Sequence, residues 1–245
     1  MATINGNDSA NLLTGTAYGD LIRGFDGADR LYGRGGNDTI HGGDDEDRLF
    51  GEDGNDVIAG GKGEDSLWGG NGADRLTDES GNDFLDGGAG NDTISAGEGN
   101  DTIYGGWGAD QVLAGSGNDV IHAGAGNDYV VGHEGDDVIR GDNGRDSLVG
   151  GEGNDVLDGG AHNDLLIGGE GADRFVFTHG IDRIRDFESG DDDIDLRGIA
   201  GLDSWAELRS HLVQSGSHTV FQWGTNQLII ENTSVRSLDA EDFMW

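Results

Sequence analysis

The chain has 245 residues, 33% of them hydrophobic, with 49 acidic residues against 14 basic ones and a formal charge of −35. Self-repulsion on that scale, with so little apolar surface to bury, excludes an ordinary core held by the polypeptide alone and makes nucleic acid and anionic membranes poor partners. There is no Cys to supply a disulfide or a thiolate, and no stretch approaches the roughly 18 apolar residues of a membrane span, so the component that the composition lacks is a cation.

Residues 1–19 read as an N-terminal cap of partial repeats, and MATINGNDSANLLTG has neither the basic start nor the apolar run of a signal peptide. From Asp20 onward every ninth residue is Asp. The eighteen stops are Asp20, Asp29, Asp38, Asp47, Asp56, Asp65, Asp74, Asp83, Asp92, Asp101, Asp110, Asp119, Asp128, Asp137, Asp146, Asp155, Asp164 and Asp173. Two residues after each stands an apolar side chain, from Ile22 to Phe175, and two before each stands Gly, except at Tyr18, Asp45 and His162. The 49 glycines do not recur every third residue, so this is not collagen.

Each unit has a physical reading. The triplet after the Asp is a very short strand with one inward side chain. The Gly-Gly-x-Gly stretch is a tight turn with backbone at positive φ and uncovered carbonyls. Such strands are too short for useful hairpins. They coil instead as a solenoid, two strands and two turns per 18 residues, with two parallel sheets enclosing one file of Ile, Leu and Val. Turns 18 residues apart then stack about 4.8 Å from each other, and two carboxylates and several carbonyls face the same space.

That donor set suits Ca²⁺, which takes six to eight oxygens in flexible geometry, better than Mg²⁺ with its octahedral demand. Zn²⁺ lacks its nitrogen or sulfur ligands here. Eighteen in-phase Asp residues make sixteen pairs 18 apart, and sixteen divalent ions would bring +32 against −35. The turns closest to the pattern begin at Gly60, Gly69, Gly87, Gly105, Gly150 and Gly168. Weaker or altered sites are expected where Asp45 and His162 replace the third glycine, Asp78 and Glu79 the first two, and His133 and Asp142 the second.

Over about residues 5–178 the pattern resembles the RTX (repeats-in-toxin) nonapeptide Gly-Gly-x-Gly-x-Asp-x-U-x, with U apolar. The resemblance implies an all-β fold, a calcium-loaded parallel β-roll (a right-handed β-solenoid) over residues 20–178. It also implies an ion between stacked turns, pairing Asp38 with Asp56 and Asp83 with Asp101.

Residues 179–245 leave the period and read as a small C-terminal capping region. Asp182-Arg-Ile-Arg-Asp186-Phe and Gly190-Asp-Asp-Asp-Ile-Asp-Leu196 resemble the segment after the roll in serralysin-type proteins and alginate epimerase modules. By that resemblance Asp182, Asp186, Asp191 and Asp193 hold one or two further ions. An EF-hand is excluded, since Asp191, Asp193 and Asp195 lack the Gly at loop position six and the Glu at twelve. Ser204-Trp-Ala-Glu207 is a capping box, with Trp205, Leu208 and Leu212 as the apolar helix face. Thr219–Trp223 and Gln227–Glu231 read as strands. The terminal Glu241-Asp-Phe-Met-Trp245 resembles the uncleaved signal read by type I secretion machinery, and reads equally as a last strand packing on the cap.

Catalytic patterns are missing. His133-Glu-Gly-Asp-Asp137 lacks the second His of a zinc protease, and there is no Gly-x-Ser-x-Gly. The chain therefore reads as a secreted, extracellular, non-catalytic calcium-binding roll that folds on meeting Ca²⁺ outside the cell. The alternative is an exopolysaccharide-binding or adhesive module of a larger secreted enzyme. That alternative rests on resemblance to alginate epimerase modules and on Tyr32, Phe50, Trp68 and Tyr104, which recur on one sheet face where a sugar could stack. Aromatics also simply suit an exposed strand face.

Overall fold

A computed structural model describes all 245 residues, with 26 strands and one short helix. Alternate strands go to opposite sides of the coil. One sheet has 14 strands and begins Thr3–Asn5, Leu21–Asp26, Thr39–Asp44; the other has 12 and begins Leu12–Thr14, Arg30–Gly35, Arg48–Asp53. Neighbours within a sheet are parallel and in an 18-residue register, as with Leu21 opposite Thr39 and Ile22 opposite Ile40. This is a parallel β-roll. The core is the single file expected from the sequence. Ile22, Leu31, Ile40, Leu49, Ile58 and their successors through Leu157 are each fully buried, one from every nonapeptide.

Most strands run six residues rather than three. In Thr39–Asp44, for example, Gly43 and Asp44 stay in register with Phe25 and Asp26 of the preceding coil. The glycines remain in the ladder because the turn is spread over the second half of the strand. Its second glycine takes up positive φ, as at Gly88 (φ 94°). At several departures from glycine the backbone keeps this shape: His133 has φ 86° and Asp142 65° at second positions, Asp45 80° and His162 90° at third positions, whereas Tyr18 and Glu79 do not adopt it. For L-residues that conformation costs roughly 1–2 kcal/mol each.

The coil extends beyond the strict period at both ends. Thr3–Asn5 and Leu12–Thr14 pair in parallel with Leu21–Asp26 and Arg30–Gly35. At the other end Ile181–Ile184 and Asp193–Asp195 prolong the two sheets, followed by Asn226–Ile230 on the first and Phe243–Met244 on the second. An antiparallel ribbon, Leu212–Ser215, His218–Trp223 and Asn226–Ile230, completes the first sheet. The helix Trp205–Ser210 starts at Ser204, whose side chain accepts the Glu207 N–H at 3.3 Å. Buried Phe177, Leu208, Phe221, Leu228 and Phe243 plug this end. No helix is long and apolar enough to cross a membrane.

Candidate metal centre

The repeat places each in-phase Asp at the mouth of a turn, pointing along the coil axis. Its Oδ1 accepts the backbone N–H of the residue 18 positions earlier. The series runs from Asp20 N–H on Asp38 Oδ1 at 2.6 Å, through Asp83 on Asp101 at 2.8 Å, to Asp155 on Asp173 at 2.9 Å. Asn residues just before the Asp form a second, outer ladder. Asn91 Oδ1 accepts the Ala109 N–H and Asn100 Oδ1 the Asn118 N–H, which accounts for their period as turn residues.

The other carboxylate oxygen is the informative one. From Asp29 to Asp173, all seventeen Oδ2 atoms are buried and have no hydrogen-bond partner. A buried charged oxygen with nothing to bind is strongly unfavourable, and such atoms are rare in native proteins. These point at a common feature. A Cβ added to Gly87 would meet Asp92 Oδ2 at 2.7 Å and the Gly105 carbonyl oxygen at 2.6 Å; at Gly69 it would meet Asp74 Oδ2 at 2.6 Å and the Gly87 carbonyl at 2.5 Å. At Gly60, Gly105, Gly150 and Gly168 the same point lies against the carboxylates of Asp65, Asp110, Asp155 and Asp173. The first glycine thus keeps open a space into which a carboxylate of one turn and, in most coils, a carbonyl of the next are both directed.

Burial dominates the electrostatics of these groups, with repulsion from the neighbouring Asp added in most. It pushes Asp47, Asp119, Asp137 and Asp146 up to about 7. Asp38, Asp65, Asp74, Asp92, Asp110, Asp155, Asp164 and Asp173 rise to about 6. Asp29, Asp56, Asp101 and Asp128 are raised too, for the same first reason, and so is Asp83, which also repels Asp101 and Asp65. Each therefore calls for a proton or a cation. Asp20 is the exception: the Ala2 N–H and the Thr16 hydroxyl and N–H hold it below the ordinary carboxylate value.

The regular coils carry no ready-made cluster of three or more His, Cys, Asp or Glu side chains. The donors are instead paired carboxylates from stacked turns with main-chain carbonyls between them. That all-oxygen, partly backbone set fits the hard, flexible coordination of Ca²⁺.

In the C-terminal region the four Asp residues singled out above separate. Asp182 continues the ladder, its Oδ1 accepting the Asp164 N–H at 3.0 Å, and burial raises it to about 8. Asp186 is already engaged, accepting the N–H groups of Gly168 and Gly169, both at 3.0 Å. Asp191 is exposed and Asp193 opens the strand Asp193–Asp195. Between them stands Asp192, not singled out from the sequence, which accepts the Asp173 N–H at 3.0 Å and the Glu188 N–H at 2.8 Å. The signal was there: Asp192-Asp193-Ile194 keeps the Asp-x-apolar order, but a one-residue slip sets Phe175 opposite Ile194 and hides it from a strict count of nine.

On the 12-stranded sheet Tyr32, Phe50 and Trp68 stack face to face, with centroids 4.7 and 4.5 Å apart. Phe84, two residues before the interrupting Asp86, carries the row on toward Tyr104 through centroid distances of 5.5 and 5.7 Å. Tyr104 stacks in turn on His122 at 5.2 Å. The ring faces are spent on one another, so the row offers mainly edges to solvent. The most exposed ring on this sheet is Trp107, 71% exposed beside a glycine-floored groove bordered by Glu52, Asp53 and Asn71.

A model of the RTX calcium-binding nonapeptide repeat matches residues 5–40, 41–76, 68–103, 77–112, 104–139, 113–148 and 140–175. No curated protein matches the chain. Among solved structures, the extracellular lipase LipA of Serratia marcescens is 18% identical with a TM-score of 0.33, covering 89% of this chain and 40% of the lipase. The AlgE6R3 subunit of the Azotobacter vinelandii mannuronan C5-epimerase is 23% identical with a TM-score of 0.36, covering 60% of this chain and 80% of that one. This chain therefore spans well under half the length of the lipase.

Proposed function

The chain belongs to the RTX calcium-binding nonapeptide repeat family, and on that premise we propose that it is a secreted, non-catalytic β-roll that folds by taking up calcium outside the cell. The observation that carries the reading is the row of seventeen buried, unpartnered Asp Oδ2 atoms, each beside an uncovered turn. Residues 20–178 would be the ion-binding roll, 1–19 its N-terminal cap and 179–245 its C-terminal cap.

The in-phase Asp residues would hold the ions, together with carbonyls of the turns beginning at Gly60, Gly69, Gly87, Gly105, Gly150 and Gly168. Asp182 is the best placed to extend the row past Asp173, because only its Oδ1 is engaged in the N–H ladder, whereas both oxygens of Asp192, like those of Asp186, already accept backbone N–H groups. The ion supplies positive charge that lets facing carboxylates approach. Everything else is done by the chain, which presents the oxygens, excludes bulk water and keeps space for the ion by using glycine. At the low calcium of a cytoplasm the unneutralised chain would repel itself and stay open for export. Extracellular sites commonly bind at 10⁻⁴ to 10⁻³ M, so millimolar calcium would fold and trap it. Glu241–Trp245 would be read by a type I secretion machine before it docks as the last strand.

The test is circular dichroism of the metal-stripped chain. β structure should appear steeply with added CaCl₂ and vanish with chelator; equal structure in both states would refute the coupling. A second reading, binding of an extracellular polysaccharide, is favoured by exposed Trp107 over its glycine-floored groove bordered by Glu52, Asp53 and Asn71 rather than by the stacked row of Tyr32, Phe50, Trp68 and Tyr104. A glycan array run with and without calcium on the native chain and Trp107→Ala checks it.

A further inference from the structure

One turn breaks the pattern of donors. In most coils a Cβ placed on the first glycine would meet that turn's own Asp and the backbone carbonyl of the residue 18 later, as at Gly33 with Asp38 and Gly51 or Gly141 with Asp146 and Gly159. At Gly60 the residue 18 later is Asp78, and what meets that point is the Asp78 carboxylate, together with Asp65 Oδ2 at 2.6 Å. Asp78 is only 9% exposed. Its N–H donates to the Ser95 carbonyl at 2.8 Å and its Oδ1 accepts the Glu79 N–H at 2.7 Å, which fixes the side chain. Its Oδ2, like those of Asp65 and Asp83, is buried with no partner. Asp83 belongs to the same inter-turn space through its Oδ1, which accepts the Asp65 N–H at 2.7 Å.

The chain bends to allow this. The strand Arg75–Thr77 stops after three residues, and the N–H groups of Glu79 and Ser80 both turn onto the Gly61 carbonyl. Asp186 holds the equivalent register position 18 residues after Gly168, yet its carboxylate is already taken by two backbone N–H groups. Asp78 is therefore the one carboxylate at a first-glycine position that keeps a buried oxygen, its Oδ2, without a partner.

We propose that the space between the turns Gly60–Asp65 and Asp78–Asp83 is a metal site of its own kind, where a hard cation is held by the Asp78 carboxylate in place of a glycine carbonyl. This rests on the calcium reading above. With one more negative ligand than its neighbours, it is the tightest site in the roll and the first to fill, since ligand charge count is a main determinant of calcium affinity. From the sequence a weaker or altered site is expected here, because the loss of the two glycines is visible and the direction of the new carboxylate is not.

The experiment is calorimetric titration of the full, metal-stripped chain with CaCl₂, beside Asp78→Gly and Asp78→Asn. Asp78→Gly restores the repeat's own residue and so spares the fold; Asp78→Asn keeps the shape and removes the charge. The native chain should bind one ion about tenfold or more tighter than the rest, and both variants should lose that step while the remaining uptake stays unchanged. A native titration without a tighter first ion, or an Asp78→Gly chain that keeps it, overturns the proposal and leaves the calcium roll standing. A native chain that takes up no calcium overturns both.

Discussion

Gly87 and Gly88 are neighbours with the same side chain and different duties. Gly87 has an ordinary backbone conformation, and an added methyl there would press on Asp92 Oδ2 and the Gly105 carbonyl; Gly88 has φ 94°, and an added methyl there would also meet the Gly70 carbonyl oxygen, away from the carboxylates. Gly87→Ala should lower calcium uptake by about one ion with little effect on the rest of the coil. Gly88→Ala should cost stability, roughly 1–2 kcal/mol, at saturating calcium. Calcium titration and melting of both variants check the distinction, and equal behaviour would contradict it. The raised carboxylates give a second prediction at this scale. Asp47, Asp119, Asp137 and Asp146 sit near 7 in the ion-free fold, against about 3.9 in an unfolded chain. Between those values the folded form binds more protons, so stability of the ion-free fold falls as pH rises from about 4 through 7. The metal-stripped chain should therefore show more β structure at pH 5 than at pH 8, and calcium should bind more weakly at pH 5 because it must displace those protons. More ordering of the stripped chain at pH 8 would contradict this. Most in-phase carboxylates were legible in the sequence because a nine-residue count is unmistakable. Asp192 was not, since the register slips by one at Phe175, and Phe84 was overlooked because it fills the ring row from a position two residues off the count.

Along the roll each strand contributes one large, wholly buried apolar residue, joined in Thr93–Glu98, Gln111–Ser116 and Val120–Ala125 only by a small buried alanine, Ala96, Ala114 or Ala123. The file Leu85, Ile94, Ile103, Val112 and Ile121 has no second layer behind it, so a deletion there cannot be compensated by repacking from a neighbouring row. Ile103→Ala should cost about 2–5 kcal/mol. Tyr104→Ala, next in sequence but on the outer face, should cost far less. Calcium-saturated thermal melts separate the two, and similar losses would mean that the core is not one side chain thick. The short strands were readable from the Asp-x-apolar triplets; their doubled length was not, because glycines advertise turns. Here the turn glycines remain hydrogen-bonded to the coils on either side, as Gly43 does opposite Phe25 and Gly61.

For the molecule as a whole, the difficulty is a charge of −35 wound around a narrow apolar file. Capping confines that file at the C-terminal end. Phe243–Met244 pairs with Asp193–Asp195, Met244 accepts the Leu196 N–H at 2.7 Å, and Phe243 packs 5.8 Å from the Trp205 ring. Deleting residues 241–245 should leave that edge unpaired and lower the calcium-saturated melting temperature, and an unchanged melt would show that the last strand is dispensable. The periodic part of this architecture follows from the sequence because one rule is repeated eighteen times. The end of the coil is built from non-repeating contacts, which composition does not reveal. The most direct measurement is a crystal structure of the full chain grown in millimolar CaCl₂, with anomalous scattering used to locate the ions. Density for calcium beside the Oδ2 atoms from Asp29 to Asp173, between turns 18 residues apart, is the predicted result. An intact coil whose inter-turn positions hold only water would contradict the account.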